Sequence, residues 1–455
     1  MGWDYRGDAR RPARGEMIVA GIARTGSLVV REFGGGRAGE IAAHRFLGSA
    51  DIGPEDLFEE ATERTAGACA GRRIVAVQDT TEINFSGADR SRSGLGPAGD
   101  GKSLGFFIHP VLAVDATQGA VLGLAGAKIW TRGLARVGNN QTRQIEEKES
   151  LRWIEAAATA ANVLAKAASI VVVGDAESDI YQLFARKPAG VDLIVRSARD
   201  RRLDDRQFLF AASDGFACIS TATVQVAERR GGAASRVAEV ALSAGRVMVA
   251  KPKTTALNVG QAAHDAATVT LGVVLAREIG TPPQGAGKPL LWRLLTTLPV
   301  DTADQIAEVV RLYRLRWRIE EVFRALKSDG LALEETQIES NHRLFNLAAL
   351  GLLAATRIVQ LVDARDTSTR PATDVIDASL IEPVQAISKT KEGKTDRQKN
   401  HHEKGTLSWL AWTVARLGGW NCYYKPPGPK TMAKGLKRLH NMLEGYEIAK
   451  AKSNL

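Results

Sequence analysis

The sequence predicts an α/β protein: a mixed sheet flanked by helices, with a β-rich insertion and helical regions at both ends. Short apolar runs at 74–77, 106–115 and 120–129 follow one another, then a helical stretch near 143–168 and another apolar run at 170–173. Strands in series, a helix and a returning strand describe a mixed sheet with helices packed on it. Residues 200–288 alternate polar and apolar side chains, as at 237–242, 247–251 and 267–274, the two-residue period of half-buried strands.

Taken in order, residues 1–70 read as polar helices with a basic start at Arg10, Arg11 and Arg14, broken at Gly34, Gly35 and Gly36 before a helix near 40–47. A DNA-contacting module and a solvated surface helix both fit this segment. The first apolar run ends at Gln78 and Asp79, Gly119 turns the chain between the second and third, and the fourth ends at Gly174 and Asp175. After the insertion a strand at 291–298 returns to the core. Thr302 and Gln305 form a capping-box pair opening the next helix, and Gly330 is its expected stop. Residues 344–362 are strongly apolar but interrupted by Arg357, which fits a buried core helix better than a membrane span. The stretch 389–404 holds six basic and three acidic residues without apolar periodicity and reads as a mobile linker or DNA-contacting loop before a last helical segment. The expected division is 1–70, a core of 71–199 with 289–365, the insertion 200–288, and 366–455.

A net charge of +10 and a pI of about 9.5 favour polyanionic partners, nucleic acid first. Cys69, Cys218 and Cys422 are far apart and in no CxxC pair, which argues against a zinc site or disulfide framework. No apolar leader is read at the N-terminus, so a cytoplasmic chain is expected.

The chemistry concentrates on one segment. Tyr313, Arg316, Glu320 and Lys327 are spaced 3, 4 and 7 apart, which leaves them within roughly 60° of one another around a helix axis. That face carries a carboxylate, two cations and a phenol. Asp79 and Asp175 each end an apolar strand, the edge where sheet proteins place reacting groups. Three carboxylates from elements on one sheet suit a pair of hard divalent cations, Mg²⁺ first, for in-line phosphoryl displacement. Asp179 ranks second to Asp175, and Asp115, Glu82 and Glu177 are further acids in the region. Gly96 to Ser103 fits the GxxxxGK[ST] pattern, but a strand rather than a helix follows, so no ATP site is expected. His401 and His402 read as solvated, His109 as a core or near-site residue, and Trp317 as core packing.

These residues carry a resemblance. Gln78-Asp79-Thr80-Thr81, Gly174-Asp175 with Asp179, and Tyr313, Arg316, Glu320 and Lys327 at their full spacing resemble the DDE transposases of the insertion-sequence-four family. The resemblance implies a ribonuclease-H-like catalytic core with a β insertion before the glutamate. Asp79, Asp175 and Glu320 are then metal ligands for Mg²⁺, with Mn²⁺ able to substitute, and Tyr313, Arg316 and Lys327 hold DNA phosphates. Trp292 matches a tryptophan that stacks on a flipped base, and Arg196 an arginine near bound DNA. It further implies cut-and-paste transposition through a hairpin, on double-stranded DNA, by a homodimer formed in the DNA complex, with C-terminal helices supplying protein contacts, and without ATP or membrane. A DNA-binding regulator without catalysis and a stand-alone metal nuclease are the alternatives. Two departures stand out. The N-terminus is shorter than the family pattern where the element end is read, so specific end binding does not follow. Ala176 replaces an arginine after the second aspartate.

Overall fold

The structure, a computed structural model, describes residues 10–85, 92–99, 103–133, 143–226, 236–253, 264–283, 287–327, 331–365, 369–376, 378–423 and 425–453. The chain begins with α1 (Arg10–Thr25), α2 (Val30–Phe33), α3 (Arg37–Leu47) and α4 (Pro54–Cys69). Next come β1 (Arg73–Gln78), β2 (Thr81–Phe85), β3 (Gly96–Ala98), β4 (Ser103–Asp115), β5 (Val121–Trp130), α5 (Leu151–Val163), β6 (Ser169–Gly174), α6 (Tyr181–Ala185) and β7 (Val191–Arg196). Then follow α7 (Leu209–Asp214), β8 (Cys218–Val226), β9 (Arg236–Ala250), β10 (Thr268–Glu278) and β11 (Leu291–Thr296). The remainder is helical: α8 (Ala303–Arg314), α9 (Trp317–Lys327), α10 (Asn341–Ala364), α11 (Ile381–Lys391), α12 (Leu407–Leu417) and α13 (Pro429–Ser453).

The sheet is mixed. Its order is β2-β4-β1-β6-β7-β11-β10-β9-β8, with β3 and β5 also paired to β4. β1 runs antiparallel to β4 and parallel to β6, and β6 is parallel to β7. The β-rich segment extends this same sheet, because β11 pairs antiparallel with β7 through Leu294, Leu295 and Thr296. Successive side chains on a strand point to opposite faces. Val75, Val77, Val171 and Val173 therefore pack with α8, α9 and α10, while Ile74, Ala76, Ile170 and Val172 pack with α5 and α6. α4 lies close on β5 because Gly123 has no side chain: a Cβ there would collide with Thr65.

Several elements differ from the sequence reading. The helix expected near 143–168 is α5 alone, preceded by a 3₁₀ turn at Ile145–Glu147. The runs 237–242 and 247–251 fall on one strand, β9, which ends at Ala250; its alternation breaks at Leu242 and Ser243, both buried, and at Gly245 a Cβ would lie 2.6 Å from the Phe216 ring. The stretch 389–404 is not a free linker. It starts inside α11, and the Asn400 amide donates to the Trp409 carbonyl (3.1 Å) and to Ser388 (3.2 Å), tying it to α12 and α11. The helix after Thr302 opens as expected, with Gln305 N–H on Thr302 Oγ1 (3.3 Å) and Thr302 N–H on Gln305 Oε1 (3.2 Å). Gly330, the expected stop, lies outside the described residues, as do the side chains of Arg10 and Arg11 and residues 100–102 of the Gly-rich loop; β3 there pairs with β4.

α10 alone among the described residues is long and apolar enough to cross a membrane, yet it is mostly buried inside the protein. Leu344, Leu347, Leu352 and Leu361 are each fully buried, and each contributes about 1.5–3 kcal/mol. It is a core helix, and that burial outweighs the cost of carrying Arg357.

Candidate active site

Strand register brings the two aspartates together. Val77 pairs with Val173 across the parallel β1–β6 ladder, and Asp79 and Asp175 each lie two residues beyond. Neighbouring strands are about 4.8 Å apart and the side-chain period is two, so both carboxylates emerge at one edge toward the face holding α9. Gly174 makes the turn after β6 possible, since a Cβ there would collide with Ser178. Asp175 accepts a hydrogen bond from the Glu177 N–H at 2.9 Å, fixing its χ1 over the first residues of that turn.

Glu320 comes from α9. The expected single helix is in fact two, α8 and α9, parted at Leu315 and Arg316. The N–H groups of Leu315, Arg316, Arg318 and Ile319 bond three residues back rather than four, which tightens the turn, as at many functional hinges. Arg316 sits at this joint and its guanidinium spans two of the three acids. It donates to Asp79 Oδ2 at 2.9 Å and to Glu320 Oε1 at 2.5 Å. Both carboxylates therefore lie within reach of one planar cation.

Asp79 carries the strongest electrostatic signature. Burial, and then the Asp175 carboxylate, push it up to about 7 from an ordinary 3.8, against the opposing pull of Arg316 and the Thr80 N–H. Glu320 adds to the push. Asp79 thus feels both other acids in a partly dehydrated pocket, the environment a divalent cation relieves. With Arg316 inserted, no three acidic, His or Cys side chains among the described residues close into a metal-ligand group. The donor set nevertheless fits a hard cation: all carboxylate oxygen, electrostatically coupled, and already bridged by a positive charge.

This has a pH consequence. A folded-state pKa above the unfolded value means the native protein binds more protons between about pH 4 and 7, so its stability falls as pH rises through that window. Urea unfolding of metal-free protein across that range will show a steeper loss for wild type than for Asp79→Asn. Equal slopes would contradict the assignment.

Behind Asp79 lies a relay that sequence reading missed. Arg152 Nε–H donates to Thr80 Oγ1 at 2.9 Å, so the Thr80 hydroxyl proton goes to His109 Nδ1, also 2.9 Å away. His109 Nε2–H then faces Gln78 Oε1 at 3.3 Å, and the buried Gln78 Nε2 is left without a partner. Burial first, with Arg152 and Lys128 adding, holds the His109 pKa well below its ordinary value, so it is the neutral tautomer that completes the chain. Arg152 also binds Glu177 at 2.7 Å. No spacing rule joins positions 78, 80, 109, 152 and 177; only the place of His109 inside the apolar run of β4 hinted at a buried polar residue.

The other acids resolve by their partners. Asp179 is fully buried: its Oδ1 accepts from Arg201 Nε (2.8 Å) and its Oδ2 from the N–H groups of Ala198 (2.9 Å) and Arg199 (3.0 Å). It holds the loop after β7. Asp115 pairs with Arg72 at 3.0 Å and accepts the N–H groups of Thr117 and Gln118.

Tyr313 and Trp292 pack edge to face, ring centres 5.3 Å apart, and both are buried. Burial raises the Tyr313 phenol above its ordinary pKa, with Arg196, Arg316 and Asp175 all close enough to act on it. Tyr313 therefore borders Asp175, with Arg196 close to Tyr313 and the Trp292 ring turned to it. Lys327 lies seven residues beyond Glu320, about 10 Å along the helix, with Nζ 3.9 Å from Glu334. Trp317, expected in the core, is 36% exposed with the Arg316 guanidinium 5.3 Å from its ring, because the helix joint turns it outward. His401 is exposed and near Asp396.

A family model described as a transposase DDE domain matches residues 81–357, more than half of the chain. The matched span holds Asp175 and Glu320, and Asp79 lies two residues before it.

Proposed function

Because this chain belongs to the transposase DDE-domain family, whose members bind DNA and transfer phosphoryl groups with divalent metal ions, we propose that it cuts DNA at the ends of a mobile element and joins them to a target. Asp79, Asp175 and Glu320 hold the metal, Mg²⁺ by the all-oxygen donor set, with Mn²⁺ as substitute. When bound, the cations supply a lowered pKa at the attacking water or 3′-hydroxyl and charge neutralisation at the leaving oxygen. The observation that carries this reading is the rise of Asp79, to which burial, Asp175 and Glu320 contribute, together with the guanidinium bridging Asp79 to Glu320.

The chain's own residues then divide the work. Arg316 leaves the acids for a DNA phosphate, Lys327 holds a second phosphate about three turns further along, and Tyr313 borders the reacting group. Arg152, Thr80 and His109 keep Asp79 oriented from behind. Trp292 stacks on an unpaired base once it parts from Tyr313, a contact worth about 1–3 kcal/mol, and Arg196 stays beside the same strand. A cut-and-paste route of the insertion-sequence-four type, with a hairpin intermediate, belongs to this proposal. So do end contacts from residues 1–70, a DNA-bridged dimer using 366–455, and independence from ATP.

The test is a cleavage reaction with purified protein, an element-end duplex and Mg²⁺ or Mn²⁺, followed by sequencing of products. Joined products with target duplications support transposition. Simple breaks reduce the activity to a nuclease, and tight binding without any cleavage removes catalysis altogether. Neutralising Lys327 (Lys327→Ala) is expected to weaken DNA binding and reduce the salt slope by about one unit. An unchanged slope in a salt titration would take Lys327 off the phosphate contacts.

A further inference from the structure

Arg357 interrupts the most apolar helix of the protein, and the catalytic reading gives it no task. Its side chain lines a cavity of about 330 Å³ between α4, β5 and α10, together with Arg64, Arg72, Arg370 and Asp374. The cavity is remote from the carboxylates. Arg72 precedes the start of β1 and Asp79 follows its end, which separates the two by roughly 20 Å along the strand.

The four arginines are not equivalent. Arg370 is fixed by Asp374 (2.7 Å) and the Val121 carbonyl (2.6 Å), and Arg72 by Asp115 (3.0 Å). Among the described residues Arg64 pairs only with Glu60, at 3.9 Å. Arg357 makes no hydrogen bond or ion pair among the described residues, and burial, then Arg64, press its pKa down to about 10. Two guanidinium groups thus face the same cavity, Arg64 half-exposed at its rim and Arg357 deeper, with Glu60 acting on both and Asp374 taken up by Arg370. Two like charges facing one cavity, the deeper of them without a hydrogen bond or ion pair among the described residues, favour an added anion.

We propose that this cavity binds a phosphate group, free or on a small ester, held between the guanidinium groups of Arg357 and Arg64. Planar guanidinium forks match phosphate oxygens two at a time. The volume lies at the small end of ligand pockets, room for a phosphate or a nucleoside monophosphate. The inference does not depend on the catalytic assignment.

Calorimetric titration of the full chain tests it, with inorganic phosphate, a nucleoside monophosphate and a short DNA duplex as separate probes at constant ionic strength in chloride. Wild type and Asp79→Ala are expected to show saturable binding of the first two. Arg357→Met is expected to bind at least tenfold more weakly, as is Arg64→Met. Circular dichroism and urea unfolding identify any variant that fails to fold, and Arg64→Met, on an exposed site, keeps the test decisive if Arg357→Met is lost. Absence of saturable phosphate binding in wild type, or equal binding by both folded variants, overturns the proposal. Arg357-dependent binding seen only with the duplex overturns it in favour of a DNA-backbone contact.

Discussion

Asp79→Ala is expected to abolish strand cleavage and to leave DNA binding intact. Asp79 is the acid on which the others converge: Asp175 and Glu320 both raise its pKa, and Arg316 bonds it directly. Losing one ligand of a shared metal centre removes several kcal/mol of transition-state stabilisation, a fall in rate of about a thousandfold or more at ~1.4 kcal/mol per tenfold. The side chains proposed to grip phosphates keep their charge, with Arg316 still held by Glu320 and Lys327 near Glu334. Stability gives an internal control. Asp79 is strained at neutral pH by its raised pKa, so the alanine variant is expected to unfold at no lower urea concentration than wild type. Cleavage that persists in Asp79→Ala would remove it from the metal centre; cleavage lost together with the fold would say nothing special about catalysis and would contradict the stability expectation.

Asp179→Ala is expected to do the opposite, lowering stability by about 3–5 kcal/mol. The carboxylate is fully buried and accepts from Arg201 and from two backbone N–H groups. Its removal strands the Arg201 guanidinium, itself 7% exposed, in a dry site, and an uncompensated buried charge costs far more than a surface pair. Denaturant unfolding at neutral pH measures the loss directly. Asp175→Ala, four residues earlier, breaks only a turn hydrogen bond to the Glu177 N–H and is expected to cost under about 1.5 kcal/mol. Equal losses for the two variants would mean that Asp175 is a structural residue like its neighbour.

Much of this was legible in the sequence, for physical reasons. Apolar runs ending in Asp79 and Asp175 are visible because buried strands need continuous β-branched side chains and their ends do not. The Thr302–Gln305 pair is visible because unsatisfied helix N–H groups demand a nearby acceptor. Glu320 was placed by helical spacing, which tolerated the joint at Leu315 and Arg316 because 3₁₀ and α turns differ little over one step. What stayed hidden depends on contacts between distant positions. The Arg316 bridge to Asp79 spans 237 residues, and the relay through Thr80, His109 and Arg152 joins three separate elements. The outward Trp317 follows from the joint itself, and the ordered 389–404 stretch from Asn400 bonding two helices, Arg416 donating to the Lys391 carbonyl and Lys404 pairing with Glu382. Polar composition alone does not reveal such anchoring.

Diffraction from crystals of the DNA complex soaked in Mn²⁺, recorded at the manganese absorption edge, tests the metal centre most directly. Anomalous density enclosed by Asp79, Asp175 and Glu320, with the Arg316 guanidinium withdrawn to a phosphate, is the predicted result. Carboxylates still clamped on Arg316, with no ion among them at saturating Mn²⁺, would contradict it.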